Sequence, residues 1–501
     1  MSPFAPARLA TISLADAALA LDRGDFTAVE LARASLDRIA AVDSRVNAFR
    51  AIDRDGVLAA AAAADERRRA GRTLSALDGL PISVKDNFMT RGLPTTCSSR
   101  MLEKYMSPDD AAAVERLRGA GLAMIGKTNL DEFARGTTGE HCAWGPVRNP
   151  WNLERVPGGS SSGPAAATAY GGGLAGLASD TGGSIRAPAA FCGLVGMKPT
   201  YGRVSRRGLA ALASSLDHVG VLARSVIDAA LLLDVLSGHD PLDGTSSRRS
   251  PTRCAEAVGA AGAGSARGAR LGWLPAWLDA PETRPEIAAA FRAAMDAFRS
   301  AGAEFVELPL PRIRHAFAAY NVICPCEAYT AMARYTGLFF GRRGDGGNWA
   351  ESMLSSRSEG LGLGVKRRIL SGAWALSADR MEAMYGKAAR VRRVICDDLN
   401  EALTRCDAIF LPTVPAPAPR PGELAGDPQA AGMVDFFTIP ANLAGLPAVS
   451  LPIGLVEGMP AGAQLVGRAW EEAAMLQIAR ALEIARPDWT FAGLAPEGIR
   501  L

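Results

Sequence analysis

One stretch, Ser179-Asp-Thr-Gly-Gly-Ser-Ile-Arg186, carries the most information in this sequence. Gly182 and Gly183 have no Cβ atoms, so the backbone before Ser184 can turn several N–H groups toward one point. Convergent amides of this kind stabilise the oxyanion of a tetrahedral intermediate, and a serine at the end of the turn is placed to act as a nucleophile. Taken alone, Thr-Gly-Gly-Ser is also the sequence of an ordinary tight turn. A nucleophile and a structural turn therefore both remain open.

A second segment, Leu80-Pro-Ile-Ser-Val-Lys85, alternates apolar and polar side chains and predicts a short strand. Ile82 and Val84 point to one face, and Ser83 and Lys85 point to the other. Burial on such a strand disfavours the ammonium and lowers the pKa of a lysine, which favours a role as a base. Neutralising a lysine at pH 7 in water costs about 4.6 kcal/mol. A surface lysine with its charged end in solvent is the alternative interpretation.

Helical and strand-like segments alternate along the chain, which predicts an α/β sheet. Residues 13–70 have a helical pattern, with Ser13 as a cap and with Thr27 and Glu30 as a capping box. The other predicted elements are a helix at 110–120, a strand at Leu122–Ile125, helices at Ala165–Ala175 and Val226–Leu236, strands at Ala408–Leu411, Ala448–Leu451 and Ala463–Val466, and a final helix at about 471–485. Residues 241–268, rich in Gly, Ser, Ala and Arg, predict a surface loop, and residues 341–364 are again rich in Gly and Ser.

The composition excludes several classes of protein. The 501 residues carry 55 Lys+Arg against 52 Asp+Glu, so no electrostatic footprint for nucleic acid is present. No apolar run approaches the roughly 20 residues that span a bilayer, and no N-terminal signal is visible, so we expect a cytoplasmic protein without membrane contact. The eight cysteines are scattered and are interpreted as reduced and buried. No metal-ligand spacing is present, and we expect neither a metal nor another cofactor.

Two further motifs match known sequence patterns, but their predicted structural context does not fit those patterns. Gly121-Leu-Ala-Met-Ile-Gly126-Lys127-Thr128 fits the phosphate-loop pattern, but its middle is strand-like and Lys127 would end a strand instead of opening a helix. Gly159-Ser-Ser161-Ser-Gly163 fits the nucleophile elbow, which should follow a strand, but the residues before it have the composition of a loop. Nucleotide binding and Ser–His–Asp chemistry are therefore disfavoured.

The segments Pro157-Gly-Gly-Ser-Ser-Ser-Gly163 and Ser179–Arg186 are highly specific to the amidase signature family, which this chain resembles from about residue 77 to 240 and from about 365 to 485. The resemblance implies an α/β amidase-signature fold, with a central mixed twisted β-sheet covered by helices on both faces. We expect a single domain over residues 1–501. Its parts are N-terminal helices at 13–70, a signature core at 77–240, a variable region at 241–364 and the C-terminal part of the core at 365–495.

The resemblance also implies the catalytic residues. At the matching positions they are Lys85, Ser160 and Ser184, a Ser-Ser-Lys triad in which Ser184 forms the acyl-enzyme. Ser160 would relay the proton of Ser184 to Lys85, and the family has a cis peptide bond at this bridging serine. The backbone N–H groups implied for the oxyanion hole are those of Thr181, Gly182 and Gly183.

The sequence carries less information about the substrate than about the catalytic residues. Segments such as Val365-Lys-Arg-Arg-Ile369 and Asp435-Phe-Phe-Thr-Ile-Pro440 resemble the glutaminase subunits of tRNA-dependent amidotransferases. The resemblance implies that Arg368 and Asp435 bind the carboxylate and the amino group of glutamine. A structural arginine and a helix-capping aspartate are the alternative interpretation.

Two segments depart from that subgroup, Gly139-Glu-His-Cys-Ala-Trp144 and Tyr335-Thr-Gly-Leu-Phe-Phe340-Gly. The sequence therefore favours a stand-alone amidase with a small-molecule amide substrate, for which a homodimer is an open alternative. The alternative is the glutaminase subunit, with a small helical chain and a tRNA-binding chain as partners. We expect the pocket walls to come from residues 139–144 and 320–345.

Overall fold

The computed structural model describes residues 9–491 and Ile499, and its centre is a mixed eleven-stranded β-sheet. The strands are β1 (Phe49–Ile52), β2 (Pro81–Lys85), β3 (Ala123–Thr128), β4 (Ala175–Asp180), β5 (Val195–Lys198), β6 (His218–Ala223), β7 (Arg270–Trp273), β8 (Glu304–Glu307), β9 (Ala408–Pro412), β10 (Ala448–Val456) and β11 (Met459–Gly467). Their order across the sheet is β1-β3-β2-β4-β6-β5-β10-β11-β9-β7-β8. β2 runs parallel to β3 and β4, β7 runs parallel to β8 and β9, and the other pairs are antiparallel.

Helices flank this sheet and bury its apolar side chains. They are α1 (Leu14–Arg23), α2 (Ala28–Val46), α3 (Arg54–Arg69), α4 (Ala112–Gly119), α5 (Ser162–Tyr170), α6 (Arg186–Cys192), α7 (Val226–Leu236), α8 (Cys254–Gly259), α9 (Pro275–Leu278), α10 (Pro285–Ser300), α11 (Ala316–Met332), α12 (Trp349–Gly360), α13 (Leu363–Ala375), α14 (Lys387–Arg405), α15 (Pro428–Met433), α16 (Ile439–Leu443) and α17 (Glu472–Ala485). This arrangement, a central mixed α/β sheet covered by helices, matches the architecture that the resemblance implied.

The N-terminal region confirms its predicted caps but contains a strand that we did not predict. The Ser13 hydroxyl accepts the amide of Asp16 at 3.0 Å, and Thr27 and Glu30 form the full capping box. Between the second and third helices, β1 pairs antiparallel with β3. Only four residues form this edge strand, and pairing with a distant segment stabilises it, so the local sequence carried no signal.

Two further predictions of secondary structure need correction. The helix expected at Ala165–Ala175 begins at Ser162 and ends at Tyr170, because Gly171 adopts a left-handed φ of 95° and caps it. Ala175 instead opens β4. The expected loop at 241–268 contains α8, whose first amide, that of Cys254, donates to Asp234 of α7 at 2.8 Å. This cap comes from another helix, so the loop-like composition concealed it.

The parallel pairing of β2 with β4 creates the edge on which the candidate site lies. Ile82 pairs with Ala175 and Val84 with Leu177, so both strands end at the same edge of the sheet. Every residue of the two strands is buried, as expected for strands covered on both faces. Polar groups at the carboxyl ends of neighbouring parallel strands meet in this way in many α/β enzymes.

The single-domain assignment stays a prediction, and residues 1–8, 492–498, 500 and 501 lie outside the described residues. Across the described part, strands from the N-terminal region, the core, the variable region and the C-terminal part join one sheet. No helix in residues 9–491 is long and apolar enough to cross a membrane.

Candidate active site

Lys85 is the last residue of β2, and its side chain is completely buried. The Nζ atom donates to Oγ of Ser160 at 2.9 Å and to Oγ of Ser179 at 3.0 Å. Ser160 follows a cis peptide bond from Gly159, as the family resemblance implied. The interpretation of Lys85 as a surface lysine is therefore wrong, because both faces of its strand are covered.

Burial lowers the pKa of Lys85 to about 7, and the negative charges of Asp131, Asp180 and Asp217 oppose this effect without cancelling it. The amine is therefore available in its neutral form near pH 7. A buried neutral amine held 2.9 Å from a serine hydroxyl can accept a proton from it.

The turn after β4 is held by a buried ion pair between Asp180 and Arg186 at 3.1 Å. Arg186 also donates to the carbonyl of Thr438 and to Gln464, both at 2.9 Å, and to Asn442. Arg186 holds the pKa of Asp180 far below its usual range, although burial acts in the opposite direction. Every contact that this pair makes is with other protein groups, so its role is structural.

Glycine is required at positions 182 and 183 because side chains from other segments approach the backbone closely there. Neither has a positive φ. A Cβ atom on Gly182 would lie 2.7 Å from the hydroxyl of Tyr320, and one on Gly183 would overlap Asp435 and Thr438. In the described part of the chain, the amides from Thr181 to Ser184 donate to no protein acceptor. Four free N–H groups in one turn can accept an oxyanion from a ligand.

Ser184 is 4% exposed and lines an open cavity of about 810 Å3. Its carbonyl accepts the amide of Ser161 at 3.2 Å, which ties the Ser184 turn to the Ser160 loop. Within residues 9–491 the Ser184 hydroxyl has no hydrogen-bond partner, and no bond between the hydroxyls of Ser160 and Ser184 is present. The structure thus brings Lys85 and Ser160 into contact and places Ser184 on the cavity wall beside them.

Arg368 and Asp435 line the same cavity. Asp435 is buried, and its Oδ1 atom has no hydrogen-bond partner in the described part of the chain. Burial raises the pKa of this carboxyl to about 8, an effect that Asp180 increases and that the positive charge of Arg186 reduces. The backbone carbonyl of Asp435 accepts the amide of Ile439, but its side chain caps no helix.

The walls of the cavity differ in part from those expected. His141 comes from the expected 139–144 segment, and Tyr320 and Asn321 come from the beginning of the expected 320–345 segment. Residues 322–345 do not line the cavity, because only the first turns of α11 face it. Residues 424–435 form another wall instead, and they fold over the site from the loop after β9.

Sequence reasoning also missed three residues at this site. Ser179 accepts the Lys85 amine and the amide group of Asn87, both at 3.0 Å. The Asp131 carboxylate accepts the amides of Gly139 and His141 at 3.0 and 2.9 Å, and it is the largest negative influence on Lys85. The third is Arg135 on the cavity wall. Ser179 begins the informative stretch Ser179–Arg186, whereas the other two residues carry no local signal in the sequence.

The two competing motifs have structural roles. Lys127 lies near the end of β3, is completely buried and pairs with Asp86 at 2.9 Å, so it does not open a helix beside a phosphate. The Ser161 hydroxyl donates to the carbonyl of Ser179 at 3.1 Å. All eight cysteines have free thiols.

Known proteins resemble this chain over nearly its whole length. The profile of the Amidase family matches residues 30–476. The A subunit of the glutamyl-tRNA(Gln) amidotransferase of Anaeromyxobacter dehalogenans (strain 2CP-C) is 48% identical over 482 residues, which cover 95% of this chain and 96% of that one.

Solved structures agree with this likeness. The A subunit of the glutamyl-tRNA(Gln) amidotransferase of Thermotoga maritima has a TM-score of 0.77 and 37% identity over 95% of each chain. The native peptide amidase of Stenotrophomonas maltophilia has a TM-score of 0.80 and 30% identity, over 97% of this chain and 98% of that one. The likeness therefore extends to the elements that surround the cavity.

Proposed function

This chain belongs to the amidase family and is an enzyme that acts on carboxylic amide C–N bonds, and from that premise we propose that it is the glutaminase subunit of a tRNA-dependent amidotransferase. The observation that carries the proposal is a single cavity lined by Ser184, Arg368 and Asp435. A guanidinium and a carboxyl suit the two charged ends of an α-amino acid, and the serine suits attack on its side-chain amide.

The sequence analysis preferred a stand-alone amidase. Relatives that match nearly the whole chain at 46% to 48% identity are named as amidotransferase subunits, which supports the alternative instead. The structural likeness to a peptide amidase supports the shared amide chemistry but not membership of a larger complex. We therefore take glutamine as the substrate and its side-chain amide as the bond that breaks.

In the proposed mechanism Ser184 attacks the amide carbon. Its proton moves to Ser160 as the Ser160 proton moves to the neutral amine of Lys85, over the 2.9 Å contact described above. The amides of Thr181, Gly182 and Gly183 stabilise the oxyanion that forms. Because Lys85 then carries the proton, it returns one to the leaving nitrogen, and ammonia departs from the acyl-enzyme.

The second half of the reaction uses the same groups. Water attacks the acyl-Ser184 ester, and the neutral Lys85 accepts its proton through Ser160. Arg368 and Asp435 hold the rest of the acyl chain, so the ester carbonyl stays beside the free amides of the turn. Glutamate leaves, and in an amidotransferase the ammonia serves a second reaction on a partner chain.

The distribution of exposed apolar side chains supports a partner. Of the sixteen large hydrophobic side chains that are exposed in the described part of the chain, nine lie between residues 329 and 381. They are Tyr329, Phe339, Phe340, Trp349, Leu354, Leu363, Leu370, Trp374 and Met381. Scattered exposed hydrophobic residues are ordinary, whereas a concentration marks an interaction surface. We assign this region to contact with the small helical and tRNA-binding chains.

The test compares the purified chain alone with the chain co-expressed with those two partners. Ammonia release from glutamine is measured for the wild type, for Ser184→Ala and for the neighbouring control Ser161→Ala. We expect the activity to require Ser184, to survive in the control and to increase with the partners. Undiminished activity of Ser184→Ala would disprove the nucleophile. Faster hydrolysis of simple amides than of glutamine by the chain alone would instead favour the stand-alone amidase.

A further inference from the structure

Arg135 is a second arginine on the wall of the cavity that contains Ser184 and Arg368. It follows the short 3-10 turn Glu132–Ala134 and is half-buried. Its Nε atom is buried and has no hydrogen-bond partner among the described residues. An unsatisfied buried guanidinium nitrogen is costly, so this side chain needs an acceptor that the protein itself does not provide.

The two guanidinium groups act on each other. Burial lowers the pKa of Arg135 to about 10, and the positive charge of Arg368 is the next largest cause. Within residues 9–491 neither arginine has a carboxylate within ion-pairing distance, and the same holds for the exposed Arg367 at this cavity. Like charges without a counterion repel each other in a partly desolvated site. An anionic ligand between them would remove that repulsion.

The acids near Arg135 do not supply this anion. Asp131 lies nearby, and its negative charge favours the Arg135 guanidinium, but its carboxylate oxygens accept the amides of Gly139 and His141 and form no ion pair with Arg135 among the described residues. Asp435 is the one carboxyl among the described residues that line the cavity. Because its pKa is raised to about 8, it is mostly neutral in the empty site near pH 7. The empty cavity therefore carries a positive charge that a zwitterion with no net charge does not balance.

A neighbouring helix makes the position of Arg135 still less favourable for a purely structural cation. The Nη1 atom lies 2.6 Å from the point at which a Cβ atom on Gly364 would stand, in the first turn of α13. The N-terminal end of a helix bears a partial positive charge, which repels a guanidinium and attracts an anion. The completely buried Arg186, by contrast, is paired with Asp180 at 3.1 Å.

We propose that Arg135 and Arg368 together bind a carboxylate on the acyl half of the substrate, and that Arg135 makes this carboxylate the main recognition element. The substrate class is then the ω-monoamides of dicarboxylic acids, of which glutamine is the member with an added α-amino group. This inference rests on the proposed function for the identity of the reacting amide. It goes further in naming a specificity-determining residue and in predicting that the α-amino group is not essential.

The experiment measures ligand binding to the Ser184→Ala variant by calorimetry, so that turnover does not consume the ligand. The probes are glutaramate, which carries the carboxylate but no amino group, and pentanamide, which carries neither. Arg135→Met, Arg135→Lys and the control Arg148→Met are added to the Ser184→Ala background. Arg148 is also half-buried, but it does not line the cavity.

We expect Arg135→Met to weaken glutaramate binding by about 10- to 100-fold, the usual loss when one hydrogen-bonding partner of a charged group is removed. Arg135→Lys restores most of the affinity, and pentanamide binding and the control are unchanged. Glutaramate affinity within about twofold of the parent in Arg135→Met would overturn the proposal, as would an equal loss for both probes. If Arg135→Met does not fold, the neutral variant Arg135→Gln replaces it, and glutaramate affinity within about twofold of the parent in that variant would overturn the proposal in the same way.

The two proposals fail in different ways. If the wild type with its partners releases no ammonia from glutamine, the proposed function is wrong, while glutaramate binding that depends on Arg135 would still support the anionic site. If glutamine is hydrolysed but Arg135→Met binds glutaramate like its parent, only the present inference is wrong.

Discussion

The Oδ1 atom of Asp435 lies only 2.3 Å from the position that a Cβ atom on Gly183 would take. The turn with the free amides and the residue proposed to bind the amino group of glutamine are therefore in direct contact. Thr438 reinforces this contact, since its hydroxyl donates to the carbonyl of Gly182 at 2.7 Å. The oxyanion turn and the substrate pocket are thus held together as one unit.

Gly183→Ala tests this contact. The added methyl group overlaps Asp435 and Thr438, so we expect a loss of stability of about 1–3 kcal/mol, as is usual for overpacking, and a marked loss of kcat for glutamine. Gly244→Ala is the control, because nothing lies within 4 Å of its Cβ position. Denaturant unfolding and steady-state kinetics provide the measurements. An active Gly183→Ala enzyme with unchanged stability would show that the turn moves freely away from Asp435.

The proposed role of Lys85 as a base predicts how kcat/KM depends on pH. Because burial lowers the pKa of Lys85 to about 7, protonation below that pH removes the base, and activity rises with pH. From the titration of a single group, kcat/KM should increase about tenfold from pH 6 to pH 8 and then level off. Lys85→Ala should lose about 100- to 10,000-fold in kcat, the usual contribution of a general base. A flat wild-type profile over this pH range would argue against a titrating Lys85.

The proposed proton relay through Ser160 predicts different activities for alanine substitutions at the adjacent residues Ser160 and Ser161. Ser160→Ala breaks the 2.9 Å contact with Lys85, so the proton of Ser184 loses its route to the base. We expect kcat to fall by at least about 100-fold, with little change in the binding of glutamine to the Ser184→Ala form. Ser161→Ala removes only a bond to the Ser179 carbonyl and should keep most of the activity. Equal activities of the two variants would exclude the relay.

Asp435→Asn separates amino-group recognition from carboxylate recognition. The side chain keeps its shape but cannot ionise, so the ammonium of glutamine loses its counter-charge. We expect KM for glutamine to rise by about 10- to 100-fold, the loss typical of a hydrogen bond to a charged group. Hydrolysis of glutaramate, which has no amino group, should change little. A similar loss for both substrates would mean that Asp435 shapes the pocket without binding the ammonium.

The buried pair of Asp180 and Arg186 predicts an effect on stability. Asp180→Asn leaves the buried guanidinium without its counterion and should cost about 3–5 kcal/mol in the free energy of unfolding. The exposed pair of Arg299 and Asp296 supplies the control Asp296→Asn, which should leave Tm unchanged. Because Arg186 depresses the pKa of Asp180 in the folded state, its contribution is present above the unfolded pKa of about 3.9 and is lost as pH falls below it. Chemical denaturation from pH 3 to pH 7 measures both effects.

Much of the secondary structure could be predicted from local patterns. Thr27 and Glu30 predicted their capping box, and the apolar run at Val226–Leu236 matches α7 residue for residue. Two of the missed elements, β1 and α8, share one cause. β1 needs a partner strand, and α8 is capped by Asp234 from another helix, so neither could be recognised from its own residues.

For the candidate site, too, one part could be predicted from the sequence and another part only from the tertiary structure. The sequence by itself determined which residue types are present at Lys85, Ser160 and Ser184, and the two specific motifs were enough to identify the family and its sheet. Only the structure explains why the two residues before Ser184 are glycines. Their φ angles are ordinary, and glycine is required because Tyr320 and Asp435 approach from segments far away in the sequence.

Only the tertiary structure revealed the charge of the pocket. Arg135 and Arg368 are separated by more than two hundred residues, and although the segment around Arg368 was informative, nothing in the sequence placed Arg135 beside it. Electrostatic interaction depends on distance through space and on burial, and both quantities are set when α13 packs beside the loop after β3. The sequence thus determined the chemistry that this protein performs, and the packing of distant segments decided which acyl group that chemistry can reach.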